Sequence, residues 1–485
     1  MLFFTSCALA VAPLTLYIHT ELALMTSFSS TSFSFNLRRI CLWIHRYTGL
    51  VMAGFLIMAG ITGSLLAFHD ELDDVFNYKL AHIERQDTPQ LPIAALHDRV
   101  ISAYPEYNFS SMPTSLEADK SAVFLVDRVR DQATKNQPKA PFQEVYVNPY
   151  NGDIVGTRDK DAWAWRNTMW KVFWLHRDLL LGDIGKLLLG VIALIWTINC
   201  FIGFYLTFPR VVNNKKALQK TMLENGFKNG PKKRTSLFKR WLPAWKIRRK
   251  TNLFKLNYDL HHAFGLWLWL MLFVIAWSSV GFNLKSVYQP VMQAVVGFEG
   301  REGKGKEKSH ITDKSSTQDR AEVAPVINST ATINKANSIA YLTEQANIAA
   351  QNNGVTVQQS LSIRWVAEEG QWQMRFKTDK DIGTHGGAST ITVDAATGNV
   401  AKVNFGYQSA FGNKVDQWFS TLHMGHIGHG IAHLLYQIFL ALIGLAVAIL
   451  SATGVYLWVK GRQSRLKQKQ KLTVKKDCSK RLLNT

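Results

Sequence analysis

Four apolar runs decide what this chain can fold into: Ile40–Phe68, Leu187–Phe208, His262–Leu284 and Leu434–Val459. Each is rich in Leu, Ile, Val, Phe and Trp and lacks charge away from its ends. Each is also longer than the roughly 20 residues a helix needs to span about 30 Å of hydrocarbon. Buried helices of a large soluble protein are the competing reading, but four runs of this length argue for a four-pass membrane protein.

The formal net charge of +21 has a location. Residues 210–255, between the second and third runs, hold fifteen Lys or Arg against one acid, Glu224. The tail beyond Val459 is similarly basic, and Arg38, Arg39 and Arg46 flank the first run. In a four-pass topology all three regions share one side, which the positive-inside rule makes cytoplasmic. Nucleic acid is the rival partner for KKRTSLFKRWLPAWKIRRK, but topology already accounts for these charges. Anionic lipid headgroups are therefore the expected partner, and the tryptophans suit the interface.

The reading divides the chain into a tail (1–36), a first span (37–69), an outward segment (70–175) and a second span (176–209). A basic loop (210–256), a third span (257–284), a second outward segment (285–420), a fourth span (421–460) and a basic tail (461–485) follow. The tail is apolar but has no basic n-region, which makes a poor signal peptide, and Met25 is the expected start. Cys7, Cys41, Cys200 and Cys478 offer no outward disulfide pair, and no CxxCH is present for covalent haem.

In the outward segments FQEVYVNPYNGDIVGTRD (142–159) alternates like a strand, turns at Asn151-Gly152-Asp153, and alternates again. STITVDAATGNVAKVNFG (389–406) repeats this around Thr397-Gly398-Asn399. Each follows helix-compatible sequence and a further alternating stretch, SAVFLVDRVR or GQWQMRFKTD, so two small α+β modules with antiparallel sheets are expected. REGKGKEKSHITDKSSTQDRAE reads as a linker before the second.

The two turns invite a search for a longer repeat. WLHRDLLLG matches TLHMGHIGHG around His176 and His423, and GFYLTFPR resembles GVYLWVKGR at the ends of the second and fourth runs. His45-Arg-Tyr-Thr-Gly49 likewise matches His261-His-Ala-Phe-Gly265. The expected architecture is therefore a membrane α-helical tandem duplication: helix, outward module, helix, twice. It puts four histidines at equivalent places, His45 and His261 near the cytoplasmic ends and His176 and His423 near the outer face.

Paired by depth, these make two bis-histidine sites on opposite sides of the membrane. Gly49 and Gly265 lie one helical turn from His45 and His261, leaving room for a flat macrocycle beside the imidazole. Haem b fits: axial histidines hold the iron and apolar helices enclose the porphyrin. A headgroup contact is the bland use of a terminal histidine, and a proton relay usually recruits carboxylates, which these spans lack. His262 faces about 100° away from His261 and is read as a neighbour without a role. His69, about 36 Å along the helix from His45, is a substitute ligand for the outer site. His426, His429 and His433 follow His423 at helical spacing and offer an Fe, Cu or Zn cluster, although Gly425, Gly428 and Gly430 disfavour continuous helix there.

HRYTGL, GITGSLLAF, LHRDLLLG, DLHHAFGLW, LHMG and GVYLW together resemble the PepSY-associated transmembrane helix family of iron-regulated membrane proteins, over roughly residues 37–462. The two hairpins resemble PepSY modules. That resemblance implies a bacterial inner-membrane protein with periplasmic modules, and the family includes siderophore-iron reductases with two b-type haems. It implies His45, His176, His261 and His423 as haem ligands, a ferric siderophore or other ferric chelate as substrate, and a ferric-chelate reductase activity. The electron donor, a quinol or a cytoplasmic partner, is unreadable, since no GxGxxG opens a helix after a strand. The alternative it leaves open is a haem-free, membrane-anchored PepSY protein that restrains a peptidase or senses envelope conditions.

Overall fold

The computed structural model describes residues 37–128, 138–209, 236–300, 333–384 and 389–483. The expectations for the N-terminal tail, most of the basic loop and the polar linker lie outside these residues. Along the chain run α1 (Leu37–Leu66), α2 (His69–Phe76), α3 (Ile93–Ala103), β1 (Ser111–Met112), β2 (Ala122–Leu125), β3 (Glu144–Val147) and β4 (Ile154–Arg158). Next come α4 (Thr168–Asp178), α5 (Asp183–Thr207), α6 (Leu253–Trp267), α7 (Trp269–Asn283), α8 (Lys285–Val296) and α9 (Lys335–Asn352). The chain continues through β5 (Val357–Val366), β6 (Gln371–Thr378), β7 (Ser389–Asp394), β8 (Val400–Asn404), α10 (Phe411–Met424) and α11 (Ile431–Leu483).

Helices α1, α5 and α11 are each long and apolar enough to cross a bilayer. The third run, expected as one continuous helix, is instead broken. Helices α6 and α7 meet at Leu268 with a bend of 71°, so the count is three spans, or four if the bent pair is one span. No proline marks the break. Just past it, Trp269 donates its indole N–H to the Cys200 carbonyl of α5 at 3.0 Å and stacks on Phe273, which fixes the bend through tertiary packing. Small residues bring α1 and α11 together: a Cβ on Gly60 would collide with the Gly444 carbonyl, and Ser64 Oγ donates to the Ala441 carbonyl at 2.8 Å.

Both expected hairpins form, β3–β4 and β7–β8, with Gly152 (φ 77°) and Gly398 (φ 73°) in the left-handed region their turns require. The modules are nevertheless not separate. Strand β1 belongs to the first outward segment but pairs with β5 of the second, Ser111 opposite Arg364, which gives sheets ordered β2-β3-β4 and β1-β5-β6-β7-β8. One apolar core runs through both, joining Leu96, Val100 and Phe124 of the first segment to Leu342, Met374 and Phe376 of the second. The first segment, with strands of two to five residues and one packed helix, buries too little surface alone, and sharing the core of the second corrects that.

Arg158, at the end of β4 and only 2% exposed, ties this polar domain to the helices. Its guanidinium makes two hydrogen bonds with the Asp73 carboxylate of α2, at 2.7 and 2.8 Å, and donates to Asn167 Oδ1 at 3.0 Å. Glu144 lies 3.7 Å away and accepts from the Tyr146 hydroxyl at 2.9 Å. Burial and the Glu144 charge push the Tyr146 phenol upward, while the Asp73 hydrogen bond and charge outweigh burial and raise Arg158, so the guanidinium stays charged.

Candidate functional site: two opposed histidine pairs

Four helices bring the four matched histidines together two by two. His45 of α1 faces His261 of α6 with ring centroids 6.2 Å apart, and His176 of α4 faces His423 of α10 at 6.3 Å. The rings in each pair are inclined to one another, by 69° and 78°. Along α1, about 25 Å of helix rise separates His45 from Thr62, which holds the second pair. His262 packs on Tyr258, with rings 4.2 Å apart, and stands beside the first pair with its ring 6.5 Å from that of His261, while His261 is the member of the DLHH pair whose ring meets His45.

Each imidazole is held through Nδ1. His45 Nδ1 lies 3.0 Å from Asn199 Oδ1, and the Asn199 amide nitrogen donates to Thr48 Oγ1 and the Ile195 carbonyl, so its oxygen must accept. His261 Nδ1 lies 3.1 Å from the Leu450 carbonyl and 3.3 Å from Thr453 Oγ1. His176 Nδ1 lies 2.9 Å from Thr62 Oγ1, whose proton goes to the Met58 carbonyl. His423 Nδ1 lies 2.7 Å from Ser278 Oγ, whose proton goes to the Val274 carbonyl. In all four cases the partner accepts, so Nδ1 carries the proton and Nε2 presents a bare lone pair. This is the form of imidazole that binds a metal, with its outer N–H oriented by a second residue.

Glycines on neighbouring helices make room for the rings. A Cβ on Gly203 would stand 3.1 Å from His45 Cε1, one on Gly63 3.2 Å from His176 Cε1, and one on Gly454 3.3 Å from His261 Cε1. The contacts recur with the sequence repeat: Thr62 and Ser278 follow His45 and His261 by the same number of residues, as Gly203 and Gly454 follow Asn199 and Leu450. At the fourth seat the residue equivalent to Gly63 is Ser279, whose hydroxyl turns to the Ile275 carbonyl. Gly49 and Gly265 meet nothing within 4 Å, so the space one turn from His45 and His261 is open.

His176 is positioned by a strained turn. Leu179 and Leu180, between α4 and α5, both have positive φ (58° and 59°), a conformation that costs a non-glycine residue about 1–2 kcal/mol. Asp178 Oδ1 accepts from Leu180 N–H at 3.1 Å, and any side chain on Gly185 would strike the Asp178 carbonyl. The LHRDLLLG sequence thus folds α4 back over the start of α5.

The second pair lines a cavity of about 900 Å³ walled by Phe55, Ile192, Trp196, Leu440 and Val447. That is within the range of a small-molecule or cofactor site. His69 borders it but engages Asp70 Oδ1 at 2.9 Å and packs edge-on against Trp170. His433 Nδ1 lies 3.1 Å from the Ile427 carbonyl, His429 Nε2 lies 3.4 Å from Lys377 Nζ, and the His426 carbonyl accepts from Thr384 N–H. Among the described residues no three His, Cys, Asp or Glu side chains gather as a group that could hold a metal ion, and His426, His429 and His433 make the separate contacts just given.

Sequence reading found the four histidines but missed Asn199, Thr62, Ser278 and Thr453, the residues that aim them. The recurrence of Thr-Gly in ITGSLL and ATGVYL was the available signal.

This arrangement, apolar helices carrying opposed imidazoles beside a mixed α/β domain, defines a membrane protein built around paired histidine sites. The profile of the PepSY-associated TM region matches residues 42–461, and the chain belongs to that family. No curated protein matches it.

Proposed function

We propose that the chain is an inner-membrane electron conduit with two haem b centres that reduces a ferric siderophore or other ferric chelate in the periplasm for iron uptake. The observation that carries it is the pair geometry. Imidazole nitrogen bonds a transition metal at about 2.0–2.1 Å, and the nitrogen lies about 1.1 Å from its own ring centre, so two imidazoles across one metal have centroids about 6.2 Å apart. Both pairs stand at that spacing with protonated Nδ1 and free Nε2. Haem, when bound, supplies reversible one-electron transfer at an iron held between two nitrogen ligands.

The residues of the chain do the rest. His45 and His261 hold the cytoplasmic-side centre, His176 and His423 the periplasmic one, and their Nδ1 partners fix ring orientation and ligand basicity. Gly49 and Gly265 leave clearance for the macrocycle, and the apolar walls exclude water. The tandem duplication explains why both centres use the same parts. The direction of transfer follows from topology, with the basic segments cytoplasmic and the shared-core PepSY domain periplasmic. Hard Fe(III) is held by the oxygen ligands of a siderophore far better than Fe(II), so one-electron reduction promotes release.

The test is an absorption spectrum of the purified protein, oxidised and dithionite-reduced. A Soret band with sharp b-type α and β bands at two haems per chain is expected. His45→Ala or His261→Ala should remove one haem and His176→Ala or His423→Ala the other. A colourless protein would overturn the proposal and leave a haem-free PepSY binding or regulatory protein.

A further inference from the structure

The cavity around His176 and His423 holds more polar chemistry than two imidazoles require. On α4, Trp170, Phe173 and Arg177 form one stripe facing it, three and four residues apart. The Trp170 indole nitrogen is buried and has no hydrogen-bond partner. A buried N–H is almost always paired, so an unpaired one on a residue that lines a cavity marks a place for an acceptor. The Arg177 guanidinium rests over the Phe173 and Trp174 rings, at 5.8 and 5.3 Å, and has no carboxylate partner among the described residues. Lys285, the first residue of α8, reaches the same cavity and likewise has none. The carboxylates nearby are engaged: Asp70 accepts from His69 at 2.9 Å, and Asp416 from the Tyr288 hydroxyl at 3.0 Å.

We infer that Arg177, Lys285 and the Trp170 N–H form a seat for the two carboxylates of a b-type porphyrin, and that this seat orients the macrocycle with its acidic edge toward the outer surface. The inference rests on the conduit reading and adds to it a determinant of orientation at the periplasmic centre. Two cations and a neutral donor match a flat dianion: guanidinium offers a planar fork, ammonium a compact charge, and the buried indole a directional N–H. Histidine ligation alone does not distinguish the two edges of the ring.

The experiment uses full-length protein produced under haem limitation and titrated in detergent with protohaem or with its dimethyl ester, which lacks the acidic groups. Wild type should take two equivalents of protohaem, and His176→Ala one. With the ester, affinity at the periplasmic site should fall at least tenfold, and the site's preference for the acid should vanish in Arg177→Leu/Lys285→Leu. Trp170→Phe removes the N–H together with the pyrrole ring and keeps one aromatic ring in place, so it should lower the preference for the acid while haem is still taken up. Equal affinity for acid and ester at the periplasmic site of wild type overturns the seat and leaves Arg177 and Lys285 as headgroup contacts. Failure of wild type to take up protohaem at either site overturns the conduit reading itself, and the seat with it.

Discussion

Ser278→Ala is the sharpest perturbation of the site, because it removes one oxygen atom and adds nothing. In the native structure Ser278 Oγ accepts from His423 Nδ1 at 2.7 Å while donating to the Val274 carbonyl, all within a buried setting in which Ser278 is 2% exposed. Without the hydroxyl, the His423 N–H loses its acceptor in an apolar interior, at a cost of about 1–3 kcal/mol. An independent route gives the same scale. Loss of the residue that orients a metal-binding histidine lowers metal affinity about 10–100-fold, or about 1.4–2.8 kcal/mol. On the proposed reading, haem at the His176–His423 pair of Ser278→Ala should therefore dissociate about 10–100-fold more readily, measured by transfer to an apo-haem acceptor protein, while haem at the His45–His261 pair is unchanged. Ser278→Thr should restore retention, since Thr62 makes the same contact with His176 in the other half. Full haem retention in Ser278→Ala with only a lowered melting temperature would mean that the hydroxyl supports packing and that the seat has no part in ligation.

Four further outcomes follow from particular contacts. Gly203→Ala places a methyl 3.1 Å from His45 Cε1 and should lower cytoplasmic-side haem content. A Cβ added at Gly49 or Gly265 meets nothing within 4 Å, so Gly49→Leu and Gly265→Leu should insert normally and lose that haem because the macrocycle needs the space. Normal haem content in both leucine variants, by pyridine haemochrome assay, would reduce the HxxxG pattern to helix packing. Arg158→Leu leaves the Asp73 carboxylate without its cation, while Glu144 keeps Lys160 at 2.5 Å, and should destabilise the polar domain by about 3 kcal/mol in thermal or denaturant unfolding. A loss below about 1 kcal/mol would show the network to be dispensable. Acidification should weaken the same domain through His97. Burial is the main cause holding its imidazole below the ordinary value of 6.5, and neighbouring Lys335 adds to this, against the opposing pull of the Phe109 carbonyl and Asp98. The unfolded chain then binds the proton more readily, so this stability is complete above about pH 6.5 and falls as pH drops below it. A pH–stability profile flat from 7 to 5, or one unchanged in His97→Gln, would refute the assignment.

Much of this protein can be read along the chain. Apolar runs and basic flanks respond to a bilayer residue by residue, so the spans and their charged side follow from composition within a window of about 20 residues. Alternation and turn glycines are similarly local, which is why both hairpins were legible. Matching the halves placed His45, His176, His261 and His423 at equivalent heights, and the structure pairs them as depth suggested. The rest depends on neighbours far apart in sequence. The break at Leu268 rests on Trp269 reaching the Cys200 carbonyl, and the joining of β1 to β5 fuses a first module with too little core of its own onto the second. The choice of His261 over His262 depends on Leu450 and Thr453, nearly two hundred residues away. The sequence alone determines which residues enter the membrane and at what height, because hydration is a property of each residue and its near neighbours. Which way an imidazole faces, and which nitrogen it offers, is decided only when another helix supplies the acceptor for its proton.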